Sequence, residues 1–402
     1  MNGRGGTKPL IQDEKAGGSA AFGAEEAGPQ ELSEQRGGIP AERYKYGKLA
    51  GELRTAIESG SYAAGRRLPS ETELARQRGC SRQTVRQAID LLEAEGYVSR
   101  MRGSGAYVKE RPATVARVRT IGVISTYVDD YIFSAIIRGI ETVLTAHGCT
   151  MQLAFTHNRA ELEAKALLAM LDKGVDGLIV EPTKSGFVAL NQELYLQIRD
   201  AGIPLLFFNA YYPAMPFFPH VAMDDQEAGR LVTAYLLQKG HRRIAGVFQA
   251  DDLQGQLRYA GYVRALMQRG LMPEPEHVLW FTTQDISYLA QDMDRILRTI
   301  QDCTALVCYN DRVAFPICRE LANRGVAVPE ELAVISIDNS DLAIACDPPL
   351  TSAAHPGDLL GRTAAEQILR LMEQPDYKAG MEFRPELEIR QSTESSLLQK
   401  SV

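Results

Sequence analysis

The spacing of hydrophobic residues after residue 120 follows two alternating patterns. Short runs that are apolar at almost every position alternate with longer stretches in which apolar residues return every third or fourth position. The first pattern predicts buried strands, and the second predicts amphipathic helices. The predicted strands are 121–126, 151–156, 177–181, 204–209, 244–248, 277–281, 305–310, 332–338 and 386–390. The predicted helices lie near 133–147, 160–173, 187–200, 226–239, 255–269, 286–300, 312–324 and 358–373.

Apolar strands that alternate with helices predict an α/β fold in which parallel sheets are covered by helices on both faces. Nine predicted strands are too many for one small sheet, so we expect two open sheets that face each other across a cleft. A closed eight-stranded barrel is the alternative arrangement. The irregular stretches 209–220 and 339–355 break the even repeat of a barrel and favour the two-lobed fold.

The chain before residue 110 predicts a different, smaller domain. Apolar residues that recur every fourth position from Leu49 indicate a first helix. Ser70 and Glu73 have the spacing of a capping box at the start of a second helix, which Gly79 can end with positive φ. Ser81 then caps a third helix. Two short helices joined by a tight turn predict a helix-turn-helix.

A hairpin and a set of base-reading side chains extend this motif. The predicted strands 97–101 and 106–108 flank a glycine turn and form a wing with a basic tip. The third helix opens with Arg82, Gln83, Thr84 and Arg86, which we expect on exposed turns. Arginine can bridge two acceptors on guanine, glutamine can pair with adenine, and threonine can meet a base edge or a phosphate. A small helical hairpin with a solvated polar face is the alternative interpretation.

The segment 44–108 resembles the GntR family of bacterial regulators. The motifs LPSETELA and SRQTVRQAIDLLEAEGYV and the glycine wing carry the resemblance. It implies double-stranded operator DNA as a partner, with Arg102 able to enter a narrow minor groove. Thr72 stands where many members carry a basic residue. The predicted DNA-contacting residues are Ser70, Thr72, Ser81, Arg82, Gln83, Thr84, Arg86, Arg102, Gly103 and Ser104.

The distribution of charge supports a DNA-binding segment on an acidic body. The formal net charge of the 402 residues is -7, which by itself argues against a nucleic-acid binder. Residues 44–111 contain 13 Lys and Arg but 8 Asp and Glu, so they carry +5 and leave -12 for the rest. A basic module on an acidic body lets the module approach phosphate while the body stays away from the duplex.

The remaining composition indicates a cytoplasmic protein without a metal or cofactor. The six cysteines show no CxxC or Cys/His ligand pattern, so we expect buried free thiols. No apolar run is long enough to span a membrane, and the first thirty residues lack a signal-peptide core. The predicted organisation is a disordered extension 1–43, a winged domain 44–110, a linker 111–119, a two-lobed domain 120–393 and a tail 394–402.

Polar residues collect at the carboxyl ends of the predicted strands, where open α/β sheets bind ligands. Carboxylates, amides and guanidinium can each engage two adjacent hydroxyls of a sugar, and tyrosine rings can cover its C–H faces. Arg258 is the strongest candidate, because an unpaired buried guanidinium is costly. Asn310 could instead cap the next helix, and Asp338 could be a turn residue.

The segment 120–393 resembles the effector domain of the LacI/GalR family, whose two-lobed fold is shared with periplasmic sugar-binding proteins. The motifs LLQKGHRRIA, RYAGYVRAL, CYND, ISIDNSDLA, DPPLTS and PELEIRQST carry the resemblance. Glu181 and His355 replace residues common in other members. By this resemblance the predicted effector-binding residues are Asp130, Tyr131, Glu181, Asn209, Arg258, Asn310, Asp338 and His355.

The joining of these two domains resembles the arabinose repressors of Gram-positive bacteria, above all in the stretch TYVDDYIFSAIIRGIE. The resemblance implies a homodimeric repressor that L-arabinose releases from its operator. A repressor or activator that responds to another sugar or a sugar phosphate is the alternative. An aminotransferase-like regulator with pyridoxal phosphate is disfavoured, because no lysine lies in a glycine- or serine-rich turn after a strand. No GxSxG, HExxH or P-loop pattern indicates an enzyme.

Overall fold

The computed structural model describes residues 41–101, 104–109, 118–127, 131–285 and 293–394, with side chains from residue 46 onward. Nearly all of the predicted extension 1–43, most of the linker 111–119 and most of the tail 394–402 lie outside these residues. Three site residues also lie outside them, namely Arg102, Gly103 and Asp130. The predicted domain boundaries therefore stay predictions.

Three helices and a hairpin form the first part of the described chain. They are α1 (Ala41–Glu58), α2 (Glu71–Arg78), α3 (Arg82–Ala94), β1 (Val98–Met101) and β2 (Gly105–Val108). The strands pair antiparallel, as the predicted wing requires. Leucine, isoleucine and valine side chains from the three helices and both strands pack into one buried cluster, which includes Leu53, Leu74, Val85 and Val98.

The predicted helix caps are confirmed. The Ser70 amide donates to the Glu73 carboxylate at 2.8 Å, and the Glu73 amide donates to Ser70 Oγ at 3.3 Å. Gly79 ends α2 with φ of 63°, in the left-handed region that glycine adopts without a steric cost. Ser81 Oγ accepts from the Thr84 amide at 3.1 Å and so caps α3.

The chain from Thr120 onward forms two lobes, each built on a six-stranded sheet. The first lobe, here called the N lobe, begins with β3 (Thr120–Ser125), α4 (Ile132–Ala146), β4 (Thr150–Phe155), α5 (Ala160–Asp172), β5 (Gly177–Val180), α6 (Gln192–Asp200), β6 (Leu205–Phe208) and β7 (His220–Met223). The second, the C lobe, contains α7 (Asp225–Gln238), β8 (Ile244–Gln249), α8 (Leu253–Met267), β9 (Val278–Phe281), α9 (Met293–Thr299), β10 (Ala305–Cys308), α10 (Asp311–Asn323), β11 (Ala333–Asp338), α11 (Asp341–Ala345) and β12 (Thr351–Ala354). The chain then returns to the N lobe with α12 (Gly357–Glu373) and β13 (Met381–Phe383) and ends in the C lobe with β14 (Glu386–Glu388).

The strand orders show that the two lobes are built on separate sheets. The N-lobe sheet has the order β13-β7-β6-β5-β3-β4, and all its pairings are parallel. The C-lobe sheet has the order β14-β12-β11-β10-β8-β9, and it is parallel except at its β14 edge. Described segments cross between the lobes after β7, after β12 and after β13. A closed barrel is excluded, and the predicted two-lobed α/β fold is confirmed.

Three strands were not predicted from the hydrophobic pattern. β12 lies within the stretch 339–355 that was expected to be irregular, β7 begins at the last residue of the stretch 209–220, and β13 follows the last helix. Each has only three or four residues, and β12 (Thr-Ser-Ala-Ala) contains no large apolar residue. Its two polar side chains are nevertheless buried and hydrogen-bonded, because Thr351 pairs with the Arg390 carbonyl and Ser352 with Asp311. The pattern also placed the start of α6 five residues too early.

Five cysteines are buried and Cys80 is half-buried, and none of the six forms a disulfide. Within the described ranges, no group of His, Cys, Asp or Glu side chains is arranged to hold a metal ion. No helix in those ranges combines the length and apolarity needed to cross a membrane.

Candidate functional site

A cavity of about 250 Å³ lies between the two lobes. It is formed at the carboxyl ends of β3, β5 and β6 on one side and of β8, β10 and β11 on the other, as expected for an open α/β sheet. The N lobe contributes Thr126, Tyr127, Tyr131, Ile132, Phe133, Asn158, Glu181, Pro182, Ser185, Asn209 and Ala210 to its lining. The C lobe contributes Gln249, Asp252, Gln254, Arg258, Thr283, Tyr309, Asn310, Arg312 and Asp338.

Arg258 lines this cavity, and all three nitrogens of its guanidinium are hydrogen-bonded. Its Nε lies 2.8 Å from Asp225 Oδ1, one terminal nitrogen lies 3.1 Å from Asp338 Oδ1, and the other donates to the Tyr309 carbonyl at 2.7 Å. The side chains of Arg258, Asp225 and Asp338 are each at most 4% exposed. Burial raises the pKa of Asp225 to about 6, and the Arg258 charge opposes that rise. The guanidinium is therefore fixed in one orientation before any ligand arrives.

A close approach of two helices makes this pairing possible. Asp225 is the first residue of α7, and Arg258 lies in α8. A Cβ built on Gly229 of α7 would lie 2.0 Å from the Arg258 carbonyl oxygen. Any side chain at this position would push the helices apart and separate the two charges.

Asp338 joins the lobes. Its Oδ1 accepts from Arg258, while its Oδ2 accepts from the Tyr131 hydroxyl at 2.6 Å. Tyr131 belongs to the N lobe and precedes α4 with φ of 71°. One carboxylate thus accepts hydrogen bonds from both lobes, so its geometry depends on how far the cleft is closed.

Glu181 and Asn209 form the polar floor on the N-lobe side. Glu181 accepts from the Thr126 amide and hydroxyl at 2.8 and 2.6 Å, and from Asn209 Nδ2 at 2.6 Å. Burial raises the pKa of Glu181, while the Thr126 hydrogen bonds lower it. The carboxylate is therefore held in place by protein donors on the N-lobe side.

His355 contacts this floor from outside the cavity. Its Nδ1 accepts from the Gly357 amide at 3.1 Å, which leaves the proton of the neutral ring on Nε2, 3.0 Å from Asn209 Oδ1. Burial lowers the pKa of His355 to about 4. His355 lines an adjoining cavity of about 320 Å³ beside Tyr131 and does not line the interlobe cavity.

Asn310 caps α10, as the alternative interpretation expected, and also lines the cavity. Its Oδ1 accepts from the Val313 amide at 3.0 Å.

Two other polar groups in the cavity lining have fewer hydrogen-bond partners among the described residues. Arg312 is exposed and lies 6.0 Å above the Tyr127 ring. Gln254 Oε1 is buried without a hydrogen-bond partner among the described residues. A hydroxyl donor in the cavity would satisfy that oxygen.

Several polar residues in or beside the cavity were not among those predicted, and two of them are carboxylates, Asp252 in the lining and Asp225 behind Arg258. Asp225 follows β7, a strand that the hydrophobic pattern missed, so no strand end pointed to it. Asp252 caps α8 by accepting from the Gly255 amide at 2.7 Å and also accepts from the Tyr309 hydroxyl. Burial raises the pKa of Asp252 to about 7. Its N-cap position before α8 was the available sequence signal.

The first turns of α3 are held by α2. Arg82 and Arg86 are 65% and 53% exposed, and both lie near the Glu71 carboxylate, at 4.0 and 3.1 Å. Ser81, Gln83 and Thr72 are also exposed. Glu71 was not predicted as a contributor, although it lies at the first position of α2. It can hold both arginines in place while leaving their guanidinium groups open to solvent.

Thr84 corrects one prediction. It is only 5% exposed, whereas we expected it on an exposed turn. Its hydroxyl lies 2.8 Å from Ser81 Oγ, because the capping turn folds the side chain back onto the start of α3. Ser70 is half-buried in its capping box, and Ser104 is half-buried with its Oγ 2.6 Å from the Tyr107 hydroxyl.

Arg100 joins the β1–β2 hairpin to α3. This residue of β1 donates to the Arg86 carbonyl at 3.2 Å and pairs with the Asp90 carboxylate. A second carboxylate, that of Glu93, lies 3.6 Å away. The hairpin and α3 are therefore joined by charged groups as well as by the apolar core.

Comparison with known proteins agrees with this architecture. Residues 45–108 match the model for bacterial regulatory proteins of the gntR family, and residues 233–393 match that for the periplasmic binding protein-like domain. The chain is 36% identical over 374 residues to the arabinose metabolism transcriptional repressor of Halalkalibacterium halodurans, covering 89% of this chain and 99% of that relative. It is 37% identical over 355 residues to the protein of the same name from Geobacillus stearothermophilus, covering 87% and 97%.

Solved structures share the two-lobed fold. The transcription regulator GntR from Chromobacterium violaceum has a TM-score of 0.61 at 28% identity, and the match covers 69% of this chain and 100% of that one. Both expected resemblances are thus confirmed. The chain belongs to the family of the two transcriptional repressors named above, and it joins a gntR-type winged helix-turn-helix to a two-lobed periplasmic-binding-protein-like domain.

Proposed function

We propose that this repressor binds L-arabinose in the interlobe cavity and then releases its operator. The observation that carries this proposal is the cavity itself, to which both lobes contribute hydrogen-bonded polar side chains. Its volume of 250 Å³ equals about eight waters at about 30 Å³ each, which suits one small sugar ring. The names of the two relatives favour arabinose among such sugars.

Each predicted effector residue has a proposed role in this cavity. Arg258 and Asp338 form a fixed donor and acceptor pair for adjacent hydroxyls, and Glu181 and Asn209 form a second pair on the opposite lobe. His355 acts through Asn209, whose amide orientation it sets. Tyr131, Asn310 and Asp130 complete the proposed set. Asp130 is proposed from the family resemblance alone.

Closure of the lobes is the proposed link to DNA. The chain acts as a homodimer in the cytoplasm, with the α3 helices in the major groove of two half-sites and the wings beside them. Sugar that binds both lobes favours the closed form and changes the separation of the two α3 helices. A 100-fold loss of operator affinity corresponds to about 2.7 kcal/mol of coupling, within the usual range for allostery. We propose that no reaction is catalysed and that no cofactor takes part.

The proposed DNA-contacting residues fall into two groups, those that read base edges and those that contact the backbone or the minor groove. Arg82, Gln83 and Arg86 read base edges, since their side chains are exposed on the first turns of α3. Ser70, Thr72, Ser81 and the wing residues Arg102, Gly103 and Ser104 contact the backbone or the minor groove. Thr84 is proposed to position Ser81 and not to touch DNA.

Calorimetry and operator release together test the proposal. The operator is first selected from random duplexes, and fluorescence anisotropy then follows the bound complex during titration with L-arabinose. D-xylose, D-ribose, D-galactose and their phosphates are the matched panel. We expect L-arabinose alone to give heat of binding, with a micromolar dissociation constant, and to release the operator. Release by another member assigns a different effector to the same cavity, and no response to any sugar refutes the proposed regulation.

A further inference from the structure

A second set of interlobe contacts lies beside the cavity. Leu253, the first residue of α8, donates its amide to Ser185 Oγ of the N lobe at 2.9 Å. Gln256, one turn further along α8, donates to the Gly186 carbonyl at 2.8 Å. We call these four residues the interlobe clasp. Three of them, all except Ser185, do not line the cavity.

The clasp completes the N-terminus of a helix in the opposite lobe. The first amides of a helix lack partners within the helix. Asp252 accepts from the Gly255 amide at 2.7 Å, whereas the Leu253 amide donates to Ser185 across the cleft. When the lobes separate, only water can accept from that amide.

The N-lobe half of the clasp is anchored independently of the cavity. Glu163, which is fully buried, accepts from the Thr183 amide at 2.9 Å and from Asn191 Nδ2 at 2.6 Å. The Tyr212 hydroxyl donates to the Thr183 carbonyl at 2.6 Å. The segment between residues 183 and 191 is therefore fixed at both ends, so Ser185 meets α8 without first losing much conformational entropy.

The fit at the centre of the clasp requires glycine. A Cβ built on Gly186 would lie 2.9 Å from both the Ala250 and Asp252 carbonyl oxygens. These are backbone atoms of the C lobe and cannot turn aside. A side chain at this position would therefore oppose closure, while the N lobe itself would be unaffected.

We propose that the interlobe clasp favours the closed form of the lobes without any ligand and so sets the sugar affinity of the repressor. This inference rests on the proposed function, in which sugar binds the closed form. The apparent affinity for such a sugar rises with the fraction of protein already closed. By reciprocity, the same contacts weaken operator binding before sugar is present.

Calorimetry on the full-length chain with L-arabinose tests the clasp. Gln256→Ala removes the interlobe hydrogen bond to the Gly186 carbonyl without changing the cavity lining, and it should raise the dissociation constant about fivefold, which is about 1 kcal/mol. Gly186→Ala should raise it at least as much. Val188→Ala is the matched control, since that side chain is 74% exposed on the same segment, and it should bind as the wild type does.

The readouts separate a clasp from a merely structural role. Both clasp variants should keep the wild-type Tm and bind the operator without sugar as tightly as the wild type or more tightly. Parallel loss of Tm and operator affinity, or unchanged sugar affinity in both variants, overturns the proposal. If the wild type binds no sugar, the proposed function fails. The clasp is then tested by small-angle scattering, which compares the radii of gyration of the ligand-free wild type and Gly186→Ala. A larger radius of gyration for Gly186→Ala then supports it, and equal radii reject it.

Discussion

Replacing Arg258 by alanine tests whether the charged network of the cavity also holds the C lobe together. The guanidinium bonds two carboxylates and one carbonyl, and all three charged side chains are almost fully buried. Arg258→Ala would leave Asp225 and Asp338 buried without their counter-ion. Removing one partner of a buried ion pair costs about 3–5 kcal/mol, because the remaining charge is uncompensated.

This cost can be expressed as a change in melting temperature. For a two-lobed domain of roughly 270 residues, an unfolding entropy of about 2.1 cal/mol/K per residue amounts to about 0.57 kcal/mol/K. The expected decrease in Tm is therefore about 5–9 °C. The Tm of Arg258→Lys should lie between those of Arg258→Ala and the wild type, because one ammonium group cannot reach all three acceptors at once.

Differential scanning calorimetry of the full-length protein measures this change. Arg264→Ala is the matched control, since Arg264 is exposed in the last turn of the same helix. Its Tm should stay within about 1 °C of the wild type, as surface substitutions usually do. A Tm for Arg258→Ala within about 2 °C of the wild type would refute the argument, because the buried carboxylates would then not depend on the guanidinium.

Three further predictions concern the lobes, the DNA surface and pH. Tyr131→Phe removes a hydrogen bond to the buried Asp338 carboxylate across the cleft, and calorimetry should show sugar affinity falling roughly 10- to 100-fold, while operator affinity without sugar stays the same or rises. Arg86→Ala should weaken operator binding roughly 10- to 100-fold in anisotropy assays, with little effect on random DNA or on sugar binding. His355 has a pKa of about 4 when folded, so its contribution to stability is complete above pH 6.5 and is lost as pH falls toward 4. The wild type should therefore lose up to about 3 kcal/mol relative to His355→Gln over that range, and a pH-independent difference would contradict this.

The sequence was sufficient for those features that depend on local periodicity and local chemistry. The capping box at Ser70, the turn at Gly79 and the cap at Ser81 each need only a few neighbouring residues, and all three are present. Long apolar strands are likewise visible as continuous runs. Because parallel strands place their carboxyl ends at one edge of a sheet, the strand ends supported Glu181, Asn209 and Asp338 as cleft residues, which the family resemblance also implied.

The tertiary structure decided which of these groups bond and which are reachable. Thr84 lies on the opening turn of α3, yet its burial depends on how α3 packs and on the Ser81 cap. Asp225 follows a four-residue strand with no distinctive pattern, so its pairing with Arg258 could not be read from spacing. That pairing requires Gly229 to admit a second helix at close range.

The sequence likewise could not predict which residues contact each other across the cleft. Tyr131 and Asp338 are more than two hundred residues apart, and Ser185 and Leu253 are almost seventy apart. Residue types and local spacing determine which groups an element presents. The packing of helices and the closure of two separate sheets determine which of those groups meet, because such contacts are set by shape and burial over the whole chain and not by neighbours along it.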